Sequence, residues 1–264
     1  MTQDPSKRPL ILVTNDDGIT APGIRNLVES ISDLGDVVVV APDSHQSGMG
    51  HAITISNILK MWPHDFGTAN IKAYRTSGTP VDCVKLAIYK ILDRKPDILL
   101  SGINHGSNSS INVIYSGTMS AAVEGALEGI PSIGFSLCDF DEHADFAASR
   151  GVVRTLTQQV LQHGTPKGTC LNVNIPKVAP NELKGIRICR QAAGHWADAF
   201  EERKSPGGRP YYWMTGNFTD IDCGEDTDEW ALRNHHVSVV PVQYDLTAHH
   251  ALAELNQWNL RLED

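Results

Sequence analysis

The stretch Leu10-Ile11-Leu12-Val13-Thr14-Asn15-Asp16-Asp17-Gly18 passes from a run of aliphatic side chains to two adjacent carboxylates and a glycine. The aliphatic run reads as a buried strand, and the acid pair stands at its carboxyl end. Neighbouring carboxylates repel unless a cation or a proton lies between them, so packing alone does not explain the pair. Two readings stay open from these residues. One is a metal site; the other is a helix N-cap beside a solvated turn residue, since Gly18 and Pro22 mark a turn before a helix.

Further along the chain the same alternation returns. Val37 to Ala41, Ile98 to Ser101 and Ile133 to Ser136 read as buried strands. Gly23 to Leu34, Val81 to Leu92 and Ser120 to Glu128 carry helical apolar spacing. Strands alternating with helices require parallel pairing through right-handed crossovers, which predicts an α/β fold with a doubly wound, mostly parallel sheet. Ile53 to Ile55 and Ile71 to Tyr74, joined through Pro63 and Gly67, read as an inserted hairpin. Ala144 to His163 is expected to be a long helix leading into a strand, Cys170 to Ile175, that Pro176 ends.

The character changes after about Gly185. Ser205-Pro206-Gly207-Gly208-Arg209-Pro210 is a hairpin-tip signal, Tyr211 to Phe218 and Val237 to Val242 read as strands, and Thr247 to Leu260 reads as an amphipathic helix. Residues 1–185 are therefore expected to form the core, and residues 186–264 an appendage packed on it or on another subunit.

Composition narrows the function classes. A chain of 264 residues can bury a large core. Its formal net charge of −9 argues against broad binding to a nucleic-acid duplex or an anionic membrane, which takes a basic patch. Met1 to Pro9 is polar, and no apolar run approaches the roughly 20 residues that span a bilayer, so no signal peptide or anchor is expected. The five cysteines are odd in number and widely spaced, with no Cys-x-x-Cys pair, which fits a reducing cytoplasm better than a disulfide framework or a thiolate zinc site.

In parallel α/β sheets ligands bind beyond the carboxyl ends of the strands. Three polar clusters fall there: Asp16-Asp17, the loop Pro42 to Gly48 with Ser47, and Ser101 to Gly106 with Asn104. Carboxylates, a hydroxyl and an amide are hard oxygen donors, suited to Mg²⁺, Mn²⁺ or Ca²⁺ ahead of zinc. Tyr115-Ser116-Gly117-Thr118 opens a small-residue helix whose free N–H groups can cradle a phosphate. The same residues equally make an ordinary cap at Thr118. His51 and His105 lie on the relevant loops, where a loop histidine more often makes a structural hydrogen bond than a proton transfer. The pairs His235-His236 and His249-His250 read as surface or interface residues.

Taken in order, these segments resemble the SurE family of survival-protein nucleotidases. The resemblance runs from Leu10 to Gly18 through Ala21-Pro22-Gly23-Ile24, Ala41-Pro42-Asp43, Gln46-Ser47-Gly48, Thr79 to Val84, Ser101 to Asn104 and Tyr115 to Gly125, and more loosely through Thr227-Asp228 and Val237 to Val242. It implies a Rossmann-like metal-dependent phosphatase that releases phosphate from nucleoside 5′- and 3′-monophosphates. Asp16, Asp17, Ser47 and Asn104 match the metal-ligand positions, for one divalent cation per subunit. Asn108, Ser116, Gly117 and Thr118 are expected at the phosphate, and attack by metal-activated water is expected in place of attack by Asp16 or Asp17. Aspartyl phosphatases carry an Asp-x-Asp spacing that this chain lacks. The family also implies a homodimer or homotetramer, with Ser205 to Arg209 as an intersubunit arm.

Two competing functions differ in chemistry. A nonenzymatic nucleotide-sensing module would use the same metal without turnover. A nicotinamide-dependent enzyme would need a Gly-x-Gly-x-x-Gly turn after the first strand, and Asn15 to Gly18 is not one.

Overall fold

Ile11, Leu12 and Val13 are fully buried in the first strand, and their alternation divides the core in two. Ile11 and Val13 pack with Val37, Val39, Ile24 and Leu27 on one face of the sheet. Leu12 packs with Val38, Val40, Leu99 and Val84 on the other. A strand covered on both faces has no polar side to show, hence its unbroken aliphatic run.

The computed structural model describes residues 8–68, 71–141 and 143–262. Residues 1–7 of the polar N-terminal stretch lie outside it. In chain order the first elements are β1 (Leu10–Thr14), α1 (Pro22–Ile31), β2 (Asp36–Pro42), β3 (Met61–His64), β4 (Lys72–Thr76) and α2 (Pro80–Leu86). Next come β5 (Ile98–His105), α3 (Gly117–Leu127), β6 (Ser132–Leu137), α4 (Ala147–His163) and β7 (Thr169–Ile175). The last are β8 (Ile186–Ile188), β9 (Gly194–Lys204), β10 (Pro210–Asp220), α5 (Asp228–Arg233), β11 (Val237–Gln243) and α6 (Leu252–Leu255).

Among the described residues the main sheet runs β3-β4-β2-β1-β5-β6-β7-β11-β8. It is parallel from β4 through β7, with β3 antiparallel to β4 and β11 antiparallel to β7. The chain winds outward from β1 through β2 to β4, then returns to place β5 on the other side of β1. Strand order therefore reverses between β1 and β5, and a crevice opens at their carboxyl ends. Asp16 and Asp17 follow β1, and Asn104 lies near the end of β5, so this topology positions the site. No helix among the described residues is long and apolar enough to cross a membrane.

Several expectations need correction. The inserted hairpin is β3–β4, and Ile53 to Ile55 is a loop. There the Thr54 N–H and hydroxyl donate to Asp82 at 3.0 and 2.6 Å in place of a ladder. Pro63 lies inside β3, which is tolerated because β3 is an edge strand. The predicted helix over Val81 to Leu92 is α2 followed by a π-helical turn, Ala87–Ile91. Thr247 to Leu260 forms only a 3-10 turn and the single-turn α6. Its apolar stripe, Leu252, Leu255 and Trp258, is exposed, and so short a helix is marginal without a surface to pack on.

The main sheet also crosses the expected boundary at residue 185, because β8 and β11 are its last two strands. Among the described residues after 185, the β9–β10 hairpin and the tail after Gln243 lie outside that sheet. All five cysteines are free, and burial pushes the Cys83 and Cys170 thiols up to about 12.

Candidate active site

Asp16 is built into the fold from three directions. The Asn15 amide donates to the Gly18 carbonyl at 2.9 Å, closing a turn in which Gly18 adopts φ +101°. The Asp16 carbonyl accepts from the Gln46 N–H at 2.8 Å, which ties the turn to the loop after β2. Its carboxylate Oδ1 accepts from the Thr118 hydroxyl at 2.5 Å. Neither Asp16 nor Asp17 caps a helix, since the N-cap of α1 is Ala21.

The start of α3 leans directly on this carboxylate. A Cβ on Gly117 would lie 2.8 Å from the Asp16 Cβ and 3.0 Å from its Oδ2, so the helix approaches this closely only because residue 117 is glycine. Ser116 is the N-cap, accepting from the Met119 N–H at 3.0 Å. The cap is thus not Thr118, whose hydroxyl is committed to Asp16. The N–H groups of Gly117 and Thr118 head the helix, where a helix leaves its amides without internal partners.

Asp17 faces β5. Its Oδ2 accepts from the His105 N–H at 3.3 Å, and His45 Nδ1 lies 3.4 Å from Oδ1. Burial raises the carboxyl pKa of both residues. For Asp16 the adjacent Asp17 charge adds to burial and outweighs the Thr118 hydrogen bond, taking it to about 6. For Asp17 burial outweighs the opposing His105 N–H and the neighbouring imidazoles. Two desolvated carboxylates side by side are a site for positive charge.

Asn104 comes into place through an irregularity in β5. The pairing with β6 shifts register between Ser101 and Asn104, and Gly102 sits there at φ +129°. A Cβ on Gly102 would lie 2.3 Å from the Phe135 carbonyl oxygen. Bulges of this kind re-aim the side chains that follow them. The Asn104 Nδ2 donates to the Gly106 and His105 carbonyls at 2.8 and 3.2 Å, and no donor among the described residues reaches its Oδ1.

The other expected residues are placed less centrally. Ser47 is exposed on the β2–β3 loop next to Gln46, and its hydroxyl has no hydrogen bond among the described residues. Asn108 lies toward β6 and β7: its Nδ2 donates to Ser136 Oγ at 2.8 Å, and its N–H donates to Asn174 Oδ1 at 2.8 Å. The ring of His105 turns away from Asp17, to the Asp141 carbonyl at 3.2 Å and against Phe146. His51 Nε2 bonds Glu124 at 3.0 Å. His45 also stands beside the acid pair; it lies inside the polar Pro42 to Gly48 cluster, where nothing in the sequence distinguishes it from its neighbours.

A cation would fit this donor set. Asp16 and Asp17 would offset its charge, the Asn104 amide is oriented with Oδ1 unpaired, and Gly117 leaves open the space beside Asp16 Oδ2. Among the described residues no group of three or more His, Cys, Asp or Glu side chains gathers to hold a metal, so a cation here would rest on mixed oxygen donors.

The chain as a whole is similar to known proteins. Residues 11–198 match the family described as "Survival protein SurE". A protein of Cytophaga hutchinsonii named 5′-nucleotidase SurE is 61% identical over 251 residues, covering 95% of this chain and 96% of that protein. One of the same name from Christiangramia forsetii is 60% identical over 262 residues, covering 96% and 98%. The crystal structure of the SurE protein from Aquifex aeolicus matches with a TM-score of 0.81 at 40% identity, over 94% of this chain and 98% of that one.

Proposed function

The chain belongs to the SurE family, and from that premise we propose that it is a nucleotidase, a phosphoric monoester hydrolase that releases phosphate from nucleoside 5′-monophosphates and also accepts 3′-monophosphates. The observation that carries the reading is the Asp16–Asp17 pair at the β1/β5 reversal, with the amino end of α3 against it. We assign one divalent cation per subunit, Mg²⁺, Mn²⁺ or Ca²⁺, to Asp16, Asp17, Ser47 and Asn104. When bound, such an ion supplies Lewis-acid polarisation of a phosphoryl oxygen and acidifies a water.

The chain's own groups do the rest by positioning and charge, which is most of what phosphoryl transfer needs. The Gly117 and Thr118 N–H groups, at the positive end of the α3 dipole, hold non-bridging phosphate oxygens. Ser116 fixes that helix start by capping it, and Thr118 fixes Asp16. Asn108 acts at one remove, because its amide is engaged with Ser136. Each carboxylate is clamped by a donor, Asp16 by Thr118 and Asp17 by His105. Clamped carboxylates suit fixed charge-bearing roles, so the nucleophile we assign is water. His45, exposed above Asp17, is the proton donor we assign to the departing ribose oxygen.

The exposed β9–β10 hairpin and the C-terminal tail are the surfaces we assign to assembly of a homodimer or homotetramer in the cytoplasm. A panel of metals and nucleotides run on the wild type and on Asp17→Asn tests the catalytic reading. Phosphate release that collapses with a chelator and in the variant is expected. Saturable nucleotide binding without turnover in the wild type would replace the enzyme by a sensing module.

A further inference from the structure

A cavity of about 420 Å³ opens beside the site, at the ends of β5, β6 and β7, lined by Ser107, Ser109, Phe140, Trp196, Phe218 and Glu229 among others. Its size is that of a small-ligand pocket. Gly106 joins it to the active site. The carbonyl of Gly106 accepts from Asn104 Nδ2 at 2.8 Å, and the Phe140 ring lies so close to its Cα that a Cβ there would be 2.3 Å from Phe140 Cε1. One backbone residue thus separates a candidate metal ligand from the cavity wall.

The wall is aromatic and pre-positioned. Trp196 Nε1 donates to Asn112 Oδ1 at 2.7 Å, and the Trp196 and Phe218 rings pack in a T-shaped contact at a centroid distance of 5.8 Å. The ring is therefore fixed before any ligand arrives, while remaining partly exposed. The cations nearby are already paired, Lys177 with Asp139 and Arg233 with Asp220. Glu229 is different. Ser109 donates to its Oε1, and Oε2 has no partner among the described residues. Burial, with Asp228 and Asp220 nearby, raises its carboxyl pKa against the Ser109 hydrogen bond and the Arg233 charge, and Oε2 is left open to a donor. A second phosphate is unsuited to a pocket whose open charge is negative; a flat ring bearing N–H donors suits it.

We propose that this cavity seats the substrate's nucleobase, with Trp196 stacking on the ring and Glu229 Oε2 accepting from the N–H edge of guanine, so that guanine nucleotides are preferred. The inference rests on the nucleotidase reading. Guanine presents two adjacent N–H donors to one carboxylate, and a purine offers the aromatic wall more area than a pyrimidine. Stacking of one base on an aromatic side chain and a hydrogen bond to a charged group are each strong enough to move specificity about tenfold.

The test compares kcat/KM for GMP with kcat/KM for ribose 5-phosphate, which has no base, in the wild type, Trp196→Ala, Trp196→Phe and Glu229→Gln. The GMP to ribose 5-phosphate ratio is expected to fall about tenfold in Trp196→Ala and Glu229→Gln and to recover in Trp196→Phe. Calorimetry of guanosine binding to the same proteins reads the pocket without turnover, and binding is expected to weaken by a similar factor. A ratio unchanged in both variants, or a larger drop for CMP than for GMP, overturns the proposal. If the wild type releases phosphate from no nucleotide, the nucleotidase reading fails and calorimetry decides the pocket alone: guanosine bound equally by all four proteins overturns it.

Discussion

The Thr118 hydroxyl donates to Asp16 Oδ1 at 2.5 Å, joining the first turn of α3 to the end of β1 across 102 residues of sequence. Both groups are buried, so the bond has no water to replace it. In Thr118→Val the shape is kept and the donor lost, and leaving a buried carboxylate oxygen unpaired costs about 1–3 kcal/mol. Affinity for Mn²⁺ is expected to fall about 10- to 100-fold, as for other residues that orient metal ligands, while Thr118→Ser retains most of it. Calorimetric Mn²⁺ titration and urea unfolding measure the two effects. Wild-type Mn²⁺ affinity in Thr118→Val would remove Thr118 from any role at the site.

Gly117→Ala probes the same contact from the other side. The added methyl lies 2.8 Å from the Asp16 Cβ, so either the helix start or the carboxylate must shift. Overpacking of this kind costs about 1–3 kcal/mol in stability. The larger effect is expected on turnover, about a hundredfold, because the helix N–H groups and Asp16 lose their mutual placement. Steady-state phosphate release from GMP is the readout, and a variant as active as the wild type would contradict the geometry.

Much of this arrangement was legible in the sequence, for a physical reason. Strands buried on both faces favour unbroken aliphatic runs, so β1, β2 and the first half of β5 announce themselves, and the alternation of strands with helices predicts the sheet. Adjacent carboxylates at a strand end are costly without a purpose, so Asp16 and Asp17 stood out as well. The rest had no local signature. Thr118 resembles any helix cap until the fold brings Asp16 to it. β9 is exposed along nearly its whole length and so shows no two-residue alternation. The Thr247 to Leu260 pattern is amphipathic, yet among the described residues its apolar side stays largely exposed.

His45 offers a test of proton transfer. Its Nδ1 lies 3.4 Å from Asp17 Oδ1 in an exposed loop, so His45→Ala should leave the fold intact. A ribose alkoxide needs a proton to depart, whereas p-nitrophenolate does not. The variant is therefore expected to lose about a hundredfold in kcat on nucleotides, within the usual range for general acid catalysis, and much less on p-nitrophenyl phosphate. Equal losses on both substrates would assign His45 to binding.

Glu124 gives a prediction for stability against pH. Its carboxylate is buried on α3 and accepts from Lys85 Nζ at 2.5 Å and bonds His51 Nε2 at 3.0 Å. Burial pushes its pKa up, but the hydrogen bonds from His51 and Lys85 and the Lys85 charge prevail, and the net shift is below the ordinary 4.5. A folded-state pKa below the unfolded one stabilises the protein above about pH 4.5, and that contribution is lost as pH falls through the folded value. The urea midpoint of the wild type should drop on acidification below pH 4.5, and Glu124→Gln should show a shallower drop. Identical slopes would mean that the cluster contributes nothing in this window.

The β9–β10 hairpin presents Phe200, Tyr212, Trp213 and Met214 to solvent, with Phe200 directly opposite Met214 in the ladder. A two-stranded ribbon gains little stability from its own pairing, and an exposed apolar cluster of this kind marks a contact surface. Its base is anchored to the body through Trp196 and Asn112, so the outer part can be removed without disturbing the sheet. Replacing residues 199–215 by an Asn-Gly turn joins Asp198 to Gly216, which already face each other. The shortened chain is expected to fold with unchanged Tm cooperativity and to form a smaller oligomer by light scattering. An unchanged mass would take the hairpin out of assembly and leave the C-terminal tail as the surface to test.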